Sequence, residues 1–239
     1  MKKFKYIIIP VIIFIVLQLM FISEYWITLE SKATDLLFIL RGSKPVSGNV
    51  VIVEVGDDTF NSLNIQWPFP REYHAQIIEN LERAGAAAVI FDIEFTEKSN
   101  PVSDSILAMT ISKYDNITLA GKVVVQADRK IKKTQLLPPI DQFIRKRNCW
   151  GTVNISVDND GFVRKYELYQ KAGKTNKYSL GVVAVAAFKS KNNFQDQIIN
   201  GFNYLQIADY LIPKSSNKST LLNYYGPAST FQTYEYADV

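Results

Sequence analysis

Residues 71–95 read REYHAQIIENLERAGAAAVIFDIEF, and this stretch decides the fold class of the chain. Up to Ala84 the apolar residues recur at helical spacing, and Gly85 is a typical C-terminal stop for a helix. Residues 86–95 are almost continuously apolar, which is typical of a strand buried inside a sheet. The stretch therefore predicts an amphipathic helix followed directly by a core strand.

Segments of the same kinds lie on both sides of this stretch. Residues 49–55 and 117–125 are rich in β-branched residues and predict strands, and residues 103–114 predict a helix capped by Ser103 and Asp104. The alternation of strands and helices predicts parallel βαβ units with right-handed crossovers. Helices on both faces of the sheet would explain why its strands do not alternate in polarity.

The second half of the chain predicts a mixed region. Residues 151–157 and 162–170 flank the turn sequence DNDG at 158–161, which predicts a β-hairpin. Residues 179–189 predict an apolar helix, and residues 221–225 predict a further strand. The expected fold class is α/β, with three layers, a parallel or mixed sheet, covering helices and a β-hairpin, preceded by one transmembrane helix.

The N-terminus contains an uncharged run of 17 residues, 6–22, preceded by three lysines. As a helix the run is roughly 26 Å long, at the short end of a bilayer span. A cleaved signal peptide and a buried core helix are the alternatives, but the run is long for the first and almost free of polar residues for the second. The preceding lysines place the N-terminus in the cytoplasm.

These features predict a single-pass protein of the cell membrane whose body is extracytoplasmic. The expected parts are a cytoplasmic tail at 1–5, a transmembrane helix at 6–23, a juxtamembrane helix at 24–42 and one exported domain at 43–239.

Composition excludes several classes of protein. The 239 residues carry a net charge of +4, and without the three N-terminal lysines 24 basic residues face 23 acidic ones. That balance does not indicate a nucleic-acid partner. The single cysteine, Cys149, cannot form an internal disulfide. No phosphate-binding or dinucleotide-binding glycine motif occurs in the sequence, so no cofactor is expected.

Acidic residues at the ends of two predicted strands are candidates for ligand binding. They are Asp57, Asp58, Asp92 and Glu94. If the two strands are neighbours, the four carboxylates converge where parallel sheets bind ligands, and they could hold a divalent cation, a polar ligand or an amine. The alternative is structural, in which Asp92 and Glu94 pair with Arg71 or Arg41.

The loop WPFP at 67–70 supplies two further candidates, Trp67 and Arg71. In the functional interpretation the loop is one wall of a pocket and Arg71 binds an anion. In the structural interpretation the loop is an apolar plug and Arg71 pairs with a carboxylate, because an arginine at a helix N-terminus needs a partner. The only histidine, His74, is either a pairing or solvent-facing residue or a pH sensor.

Two patterns that resemble reactive sites are better explained otherwise. Residues 156–161 with Glu167 partly copy the spacing of a calcium-binding loop, but the flanks alternate like strands, and a hairpin turn is the better interpretation. One histidine without a nucleophile motif does not predict a catalytic triad, so no catalytic residue is predicted.

Several blocks, taken in order, resemble the CHASE type 2 family of extracellular sensor domains. They are residues 35–41 (DLLFILR), 51–58 (VIVEVGDD), 67–71 (WPFPR), 74–75, 81–95, Asp104, Gly151 with Asn154, 158–161 with Arg164, and 223–227 (NYYGP). The resemblance covers about 35–239. It departs from the family at the end of the first strand, which is usually Ile-Asp-Asp and here reads Val55-Gly56-Asp57-Asp58. The family pattern continues beyond the NYYGP block, so the sensor domain is expected to be incomplete at its C-terminus.

The resemblance implies a non-enzymatic sensory domain that binds a small ligand or senses an envelope condition. It further implies a homodimer that transmits its state across the membrane to a cytoplasmic adenylate cyclase, diguanylate cyclase or histidine kinase, none of which is in this chain. The alternatives are a metal-dependent hydrolase that uses Asp57, Asp58 and Asp92, and a structural dimerisation module.

Overall fold

The computed structural model describes residues 2–22, 24–128, 131–144, 149–173, 175–189 and 197–239. The chain divides into two compact units. The first contains residues 1–50 and 223–232, and the second contains residues 51–222 and 233–239.

The first unit holds two helices, α1 (Lys2–Ile22) and α2 (Glu24–Arg41). The second of these agrees with the juxtamembrane helix predicted at 24–42. The apolar side chains of α1 between Ile8 and Leu19 are exposed. Within the described residues, no helix combines the length and hydropathy that a bilayer span requires, so the predicted transmembrane helix at 6–23 is not confirmed.

The second unit contains both helices and strands. Its helices are α3 (Asp57–Leu63), α4 (Arg71–Arg83), α5 (Pro101–Lys113) and α6 (Leu180–Lys189). The strands of the first half are β1 (Val51–Glu54), β2 (Val89–Glu94), β3 (Ile117–Asp128), β4 (Ile131–Leu137) and β5 (Trp150–Thr152). Those of the second half are β6 (Lys165–Glu167), β7 (Tyr169–Ala172), β8 (Thr175–Tyr178), β9 (Ile198–Asn200), β10 (Tyr204–Ile207), β11 (Tyr210–Pro213), β12 (Ser219–Leu221) and β13 (Gln232–Glu235).

The central sheet contains the predicted parallel unit. Strand β3 pairs in parallel with β2 on one side and with β5 on the other, and its second half pairs antiparallel with β4. Helix α5 connects β2 to β3, and Asn100, rather than the predicted Ser103 and Asp104, caps it by accepting the backbone N–H groups of Val102 and Ser103. The parallel β2–β3 arrangement inferred from the sequence is therefore confirmed.

The first strand does not join that sheet as predicted. Among the described residues, β1 pairs with β13 to form a separate two-stranded sheet. The order of strands and helices suggested that β1 and β2 are neighbours. Instead, β1 pairs with β13, which lies about 180 residues further along the chain. Pairing at such a distance leaves no local pattern in the sequence.

The two faces of the central sheet are covered unequally. Leu119 and Trp150 face a core with α4 and α5, whereas their neighbours Ala120 and Gly151 face the other side, where Gly151 lies against Leu180 of α6. The predicted three layers are present around β3 and β5. Along β2, however, burial alternates, so the expectation that both faces of every strand are covered is wrong for this strand.

Two predicted elements in the second half take a different form. A turn does form at 158–161, since the Asp158 amide donates to the Phe162 carbonyl and Gly161 has a φ of +83°. Its flanks do not pair with each other as a hairpin, because β5 pairs with β3 and β6 pairs with β12. The predicted strand at 221–225 is also wrong, since β12 ends at Leu221. Hairpin pairing occurs instead between β7 and β8 and between β10 and β11.

A second apolar core lies between α6 and the antiparallel sheet β9–β10–β11. We call it the aliphatic core, and it contains Leu168, Val182, Val183, Ala186, Ala187, Leu205 and Ile207. Small side chains such as Ala186 allow α6 to pack closely on the strands.

Candidate functional site

The uncovered face of β2 is the first candidate site, and we call it the open face. Ile90, Asp92 and Glu94 alternate with the buried Val89 and Phe91 and are all exposed. Asp92 and Glu94 lie in the carboxyl half of this parallel strand, where ligands commonly bind in α/β sheets. Two of the six predicted site residues are therefore brought together on one accessible surface.

The charges of the open face are partly paired. Lys122 of β3 forms a salt bridge with Glu94, with 2.5 Å between Nζ and Oε2. The side chains of this pair are 37% and 33% exposed, so water screens the attraction. Glu94 is therefore ion-paired, but its partner is Lys122, so the predicted pairing with Arg71 or Arg41 is wrong.

Tyr166 connects the open face with the beginning of α6. Its hydroxyl accepts a hydrogen bond from the Gly181 amide at 3.0 Å. Burial raises the pKa of this phenol, and the charge of Asp92 adds to the shift. The Tyr166 hydroxyl and the Asp92 carboxylate are therefore near enough to interact electrostatically.

Asp57 and Asp58 are not brought to the open face, because the strand before them does not pair with β2. Both lie in the first turn of α3, where their charges favour the helix N-terminus. Convergence of four carboxylates required β1 beside β2, and β1 pairs with β13 instead. In the described part of the chain, no three His, Cys, Asp or Glu side chains form a group that could hold a metal ion. A ligand role for these two residues stays a prediction.

Arg71 has structural partners of its own. Its Nε lies 3.4 Å from Oδ1 of the buried Asp104, and its guanidinium donates to the Glu97 carbonyl and stacks 4.5 Å from the Phe95 ring centroid. Burial lowers the pKa of Arg71, and Asp104 opposes that shift. The predicted Arg71–carboxylate pair is confirmed, with Asp104 as the carboxylate.

The WPFP loop closes an apolar cluster, as the structural interpretation predicted. Phe69 is buried, while Trp67 remains 47% exposed and packs edge-on against Phe69 and His74. We call this cluster the aromatic core, and its rings belong to Phe69, His74, Phe91, Phe95, Phe143 and Tyr236. The loop is therefore a plug whose outer surface is an exposed indole.

His74 lies inside the aromatic core and is only 1% exposed. Its Nδ1 is 2.8 Å from the Tyr236 hydroxyl, a hydrogen bond between two buried groups. Burial, with the charge of Arg71, lowers the pKa of His74 to about 4. The pairing interpretation is confirmed, and the solvent-facing one is wrong.

The C-terminal segment 233–239 is fastened to this core by side chains that the sequence analysis did not select. The Glu235 carboxylate accepts hydrogen bonds from the Gly56 amide, the Thr59 amide and the Thr59 hydroxyl, at 3.3, 3.2 and 2.5 Å. The Asn80 amide donates to the Val239 carbonyl at 2.5 Å. These contacts join distant parts of the sequence, so no local motif could have indicated them.

A second set of contacts lies entirely within the first unit, and we call it the Arg41 joint. The Arg41 guanidinium of α2 donates to Oδ1 of Asn223 at 2.6 Å and to the Tyr224 carbonyl. Phe38 packs edge-on against the Tyr224 ring, and the Lys44 amide donates to the Tyr225 carbonyl. Helix α2 is thus bound to the NYYGP segment by an arginine, an aromatic pair and a backbone bond.

The residues at 156–161 that resemble a calcium-binding loop bind an arginine of the same chain. Arg164, which is 8% exposed, binds Asp158 at 2.9 Å and Asp160 at 2.7 and 2.9 Å. The two carboxylates that copied a calcium loop therefore neutralise a buried guanidinium and fix the turn. This confirms the structural interpretation of the run as a turn.

A family model described as "CHASE2 domain" matches residues 10–239, nearly the whole chain. The chain belongs to the CHASE2 domain family. Members of this family are sensory, non-catalytic domains, which agrees with the absence of a predicted catalytic residue. No curated protein and no solved structure matches the chain significantly. The CHASE2 blocks 35–41 and 223–227, far apart in the sequence, meet in the Arg41 joint.

Proposed function

We propose that this CHASE2 chain is the extracytoplasmic part of a membrane-anchored receptor. It binds a small ligand and passes a conformational change to a cytoplasmic output that lies outside this chain. The family match over residues 10–239 is the observation that carries the proposal. No group of residues in the sequence favours catalysis over sensing.

The proposed anchor is the uncharged run at 6–22. Its support is the sequence, in which three lysines precede 17 uncharged residues. The exposed side chains of α1, from Ile8 to Leu19, are compatible with contact to lipid on every side of that helix.

The proposed ligand site is the open face of β2. Asp92 has no hydrogen-bond or ion-pair partner among the described residues, whereas Glu94 is held by Lys122. A carboxylate, an ion pair and the exposed Ile90 side chain offer a small ligand both charge and apolar contact. Asp57, Asp58, Trp67 and Arg71 are less suited, since Arg71 is already paired and the other three lie outside this face.

The proposed route of transmission passes through the Arg41 joint. Segment 223–232 follows β12 and leads into β13, and Arg41 is hydrogen-bonded to its beginning. In the proposed route, a movement of either strand displaces this segment and so acts on Arg41. Ligand binding shifts such a system only if its affinity differs between two states. A ligand that prefers one arrangement of 223–227 would therefore bias the orientation of α2.

Thermal unfolding of the full chain in detergent, against a panel of amino acids, polyamines, nucleotides and divalent cations, tests the proposal. A ligand present at about 100 times its Kd stabilises the folded state by about 2.7 kcal/mol. For a chain of this size, that corresponds to a rise in Tm of roughly 5–10 °C. We expect at least one ligand class to produce such a rise.

The matched variants are Asp92→Asn and Asp57→Asn. We expect Asp92→Asn to abolish the rise and Asp57→Asn to retain it, because only the first lies on the open face. A flat panel for the wild type would contradict ligand sensing. A full rise in Asp92→Asn would contradict the location of the site.

A further inference from the structure

Lys177 of β8 lies against a buried aromatic ring. A parallel bridge between Thr152 and Ser179 places β8 beside β5, so that Lys177 is level with Trp150. The Lys177 Nζ lies 3.8 Å from the centroid of the Trp150 ring, which is 8% exposed and faces the core formed with α4 and α5. The ammonium is therefore held on an indole face, and the side chain that carries it is partly buried.

No anion compensates this charge within the described part of the chain. Lys177 has neither a hydrogen bond nor an ion pair there, and the residue opposite it on β7 is the neutral Gln170. The Gln170 side-chain amide donates to Glu167, with 2.5 Å between Nε2 and Oε2. The lysines that do pair with a carboxylate include Lys113, Lys122, Lys189 and Lys218. Lys177 thus differs from them in having a π face in place of an anion.

These surroundings favour the neutral amine of Lys177, because burial without an anion penalises the charged form. Burial lowers the pKa of Lys177 from 10.5 to about 8, and the Cys149 thiol, the titratable group that acts on the amine, opposes that shift. At pH 7 about a tenth of such amines are neutral, against roughly one in 2,500 for an ordinary lysine. A desolvated, unprotonated lysine is the form that attacks carbonyl carbon.

We propose that Lys177 is a covalent modification site that captures a small aldehyde reversibly as an imine. The lone pair of Nζ forms a bond to the carbonyl carbon, and the carbonyl oxygen leaves as water with the two protons that the amine gives up. This step needs no oxidant, reductant or cofactor, and hydrolysis returns the free amine. The proposal does not rest on ligand binding at the open face.

The position of Lys177 favours an aldehyde over other electrophiles. A neutral amine and an aldehyde give a neutral imine, so the reaction leaves no charge that the site would have to compensate. Capture of carbon dioxide would instead place a carbamate anion against the negative π face of Trp150. Partial burial of the Lys177 side chain restricts the adduct to a small one.

The first test labels the full chain in detergent with acetaldehyde and sodium cyanoborohydride, which reduces the imine to a stable secondary amine. Mass spectrometry of the peptides gives the rate at each lysine. At pH 7 we expect Lys177 to react at least about tenfold faster than the exposed strand residues Lys165 and Lys171. This ratio should fall between pH 8 and 10, where ordinary lysine amines also lose their protons. A ratio near one at pH 7, or a ratio that does not change with pH, would overturn the proposal.

The second test removes the nucleophile but keeps a cation on the indole. Lys177→Arg should fold like the wild type, because a guanidinium also stacks on the Trp150 ring, and it should lose the fast-reacting site. Lys171→Arg, on the neighbouring strand, is the matched control and should keep that site. A fast site that persists in Lys177→Arg would overturn the assignment.

Reversibility is checked by diluting the acetaldehyde away before the reductant is added. Lys177 should then be recovered unmodified in the wild type. An adduct that survives the dilution would contradict reversible capture.

Discussion

The aromatic core and the aliphatic core lie against opposite faces of the central sheet and are closed in different ways. The aromatic core contains large rings, and polar contacts such as His74–Tyr236 and Glu235–Thr59 fasten the C-terminal segment to it. The aliphatic core contains small branched and alanine side chains, and the sheet that closes it presents an apolar outer face. One side of the domain is therefore specified by directional bonds, and the other presents apolar side chains to solvent.

The largest expected effect is on the aromatic side. Phe95 is fully buried and contacts the rings of His74, Phe91 and Phe143 as well as the Arg71 guanidinium. We expect Phe95→Ala to lower the free energy of unfolding by about 4 kcal/mol, because it leaves a cavity among rigid rings. Urea unfolding measures the loss. Val102→Ala, at an exposed site, is the control, and a loss below about 1 kcal/mol for Phe95→Ala would show that the core is not packed as described.

The next effect depends on pH. Because the folded-state pKa of His74 is about 4 against 6.5 for the free side chain, the unfolded chain binds more protons between these values. Stability is therefore complete above about pH 6.5 and falls as the pH drops toward 4, by about 3 kcal/mol at most from this group. The charged group that acts on the ring is Arg71, and Tyr236 contributes a neutral hydroxyl that is hydrogen-bonded to Nδ1.

Unfolding free energies measured between pH 4.5 and 7 check this expectation. His74→Phe keeps an aromatic ring and removes the titration, so it should flatten the slope over that window. If wild type and His74→Phe have the same slope, the buried neutral histidine is not the cause.

Close packing on the aliphatic side gives a smaller effect. A Cβ at Gly151 would lie 2.5 Å from the Cα of Leu180, so Gly151→Ala forces α6 away from the sheet. We expect a loss of about 2 kcal/mol, the usual cost of overpacking. Ala120→Gly is the control, because it changes a residue on the same face of the sheet without adding atoms. Gly161→Ala would not serve, because the positive φ of Gly161 disfavours alanine. A neutral Gly151→Ala would contradict the contact between α6 and the sheet.

The smallest effect belongs to the open face. Lys122→Gln removes the partially exposed pair with Glu94, and we expect it to change stability by less than about 0.5 kcal/mol. Its consequence should appear in ligand affinity instead, since Glu94 is then free to move. A stability loss above about 1 kcal/mol would make the pair a structural element rather than part of a binding surface.

The sequence predicted what local pattern controls. The helical spacing of 71–84 and the apolar run 86–95 were sufficient to place α4 and β2, and the order of elements was sufficient to predict the parallel β2–β3 pair. Local pattern does not determine long-range partners. The pairing of β1 with β13, and of β6 with β12, joins segments that are far apart, and both strands were given the wrong neighbours.

The same distinction applies to the candidate residues. The need of Arg71 for a carboxylate followed from its place at a helix N-terminus, but the choice of Asp104 followed from the packing of α4 against α5. Pairing was one of the alternatives left open for His74, whereas Tyr236 and Glu235 carry no motif and were not selected. The function itself came from the ordered blocks of the family and not from any one site.

The most direct test of the central claim, an exported sensory domain tethered at its N-terminus, is the accessibility of a single cysteine in intact cells or spheroplasts. In a Cys149→Ser background, Lys98→Cys places a thiol at an exposed position between β2 and α5. We predict that a membrane-impermeant maleimide labels it before permeabilisation and that the labelled chain remains in the membrane after an alkaline wash. Labelling only after permeabilisation, or release of the chain by the wash, would contradict the account.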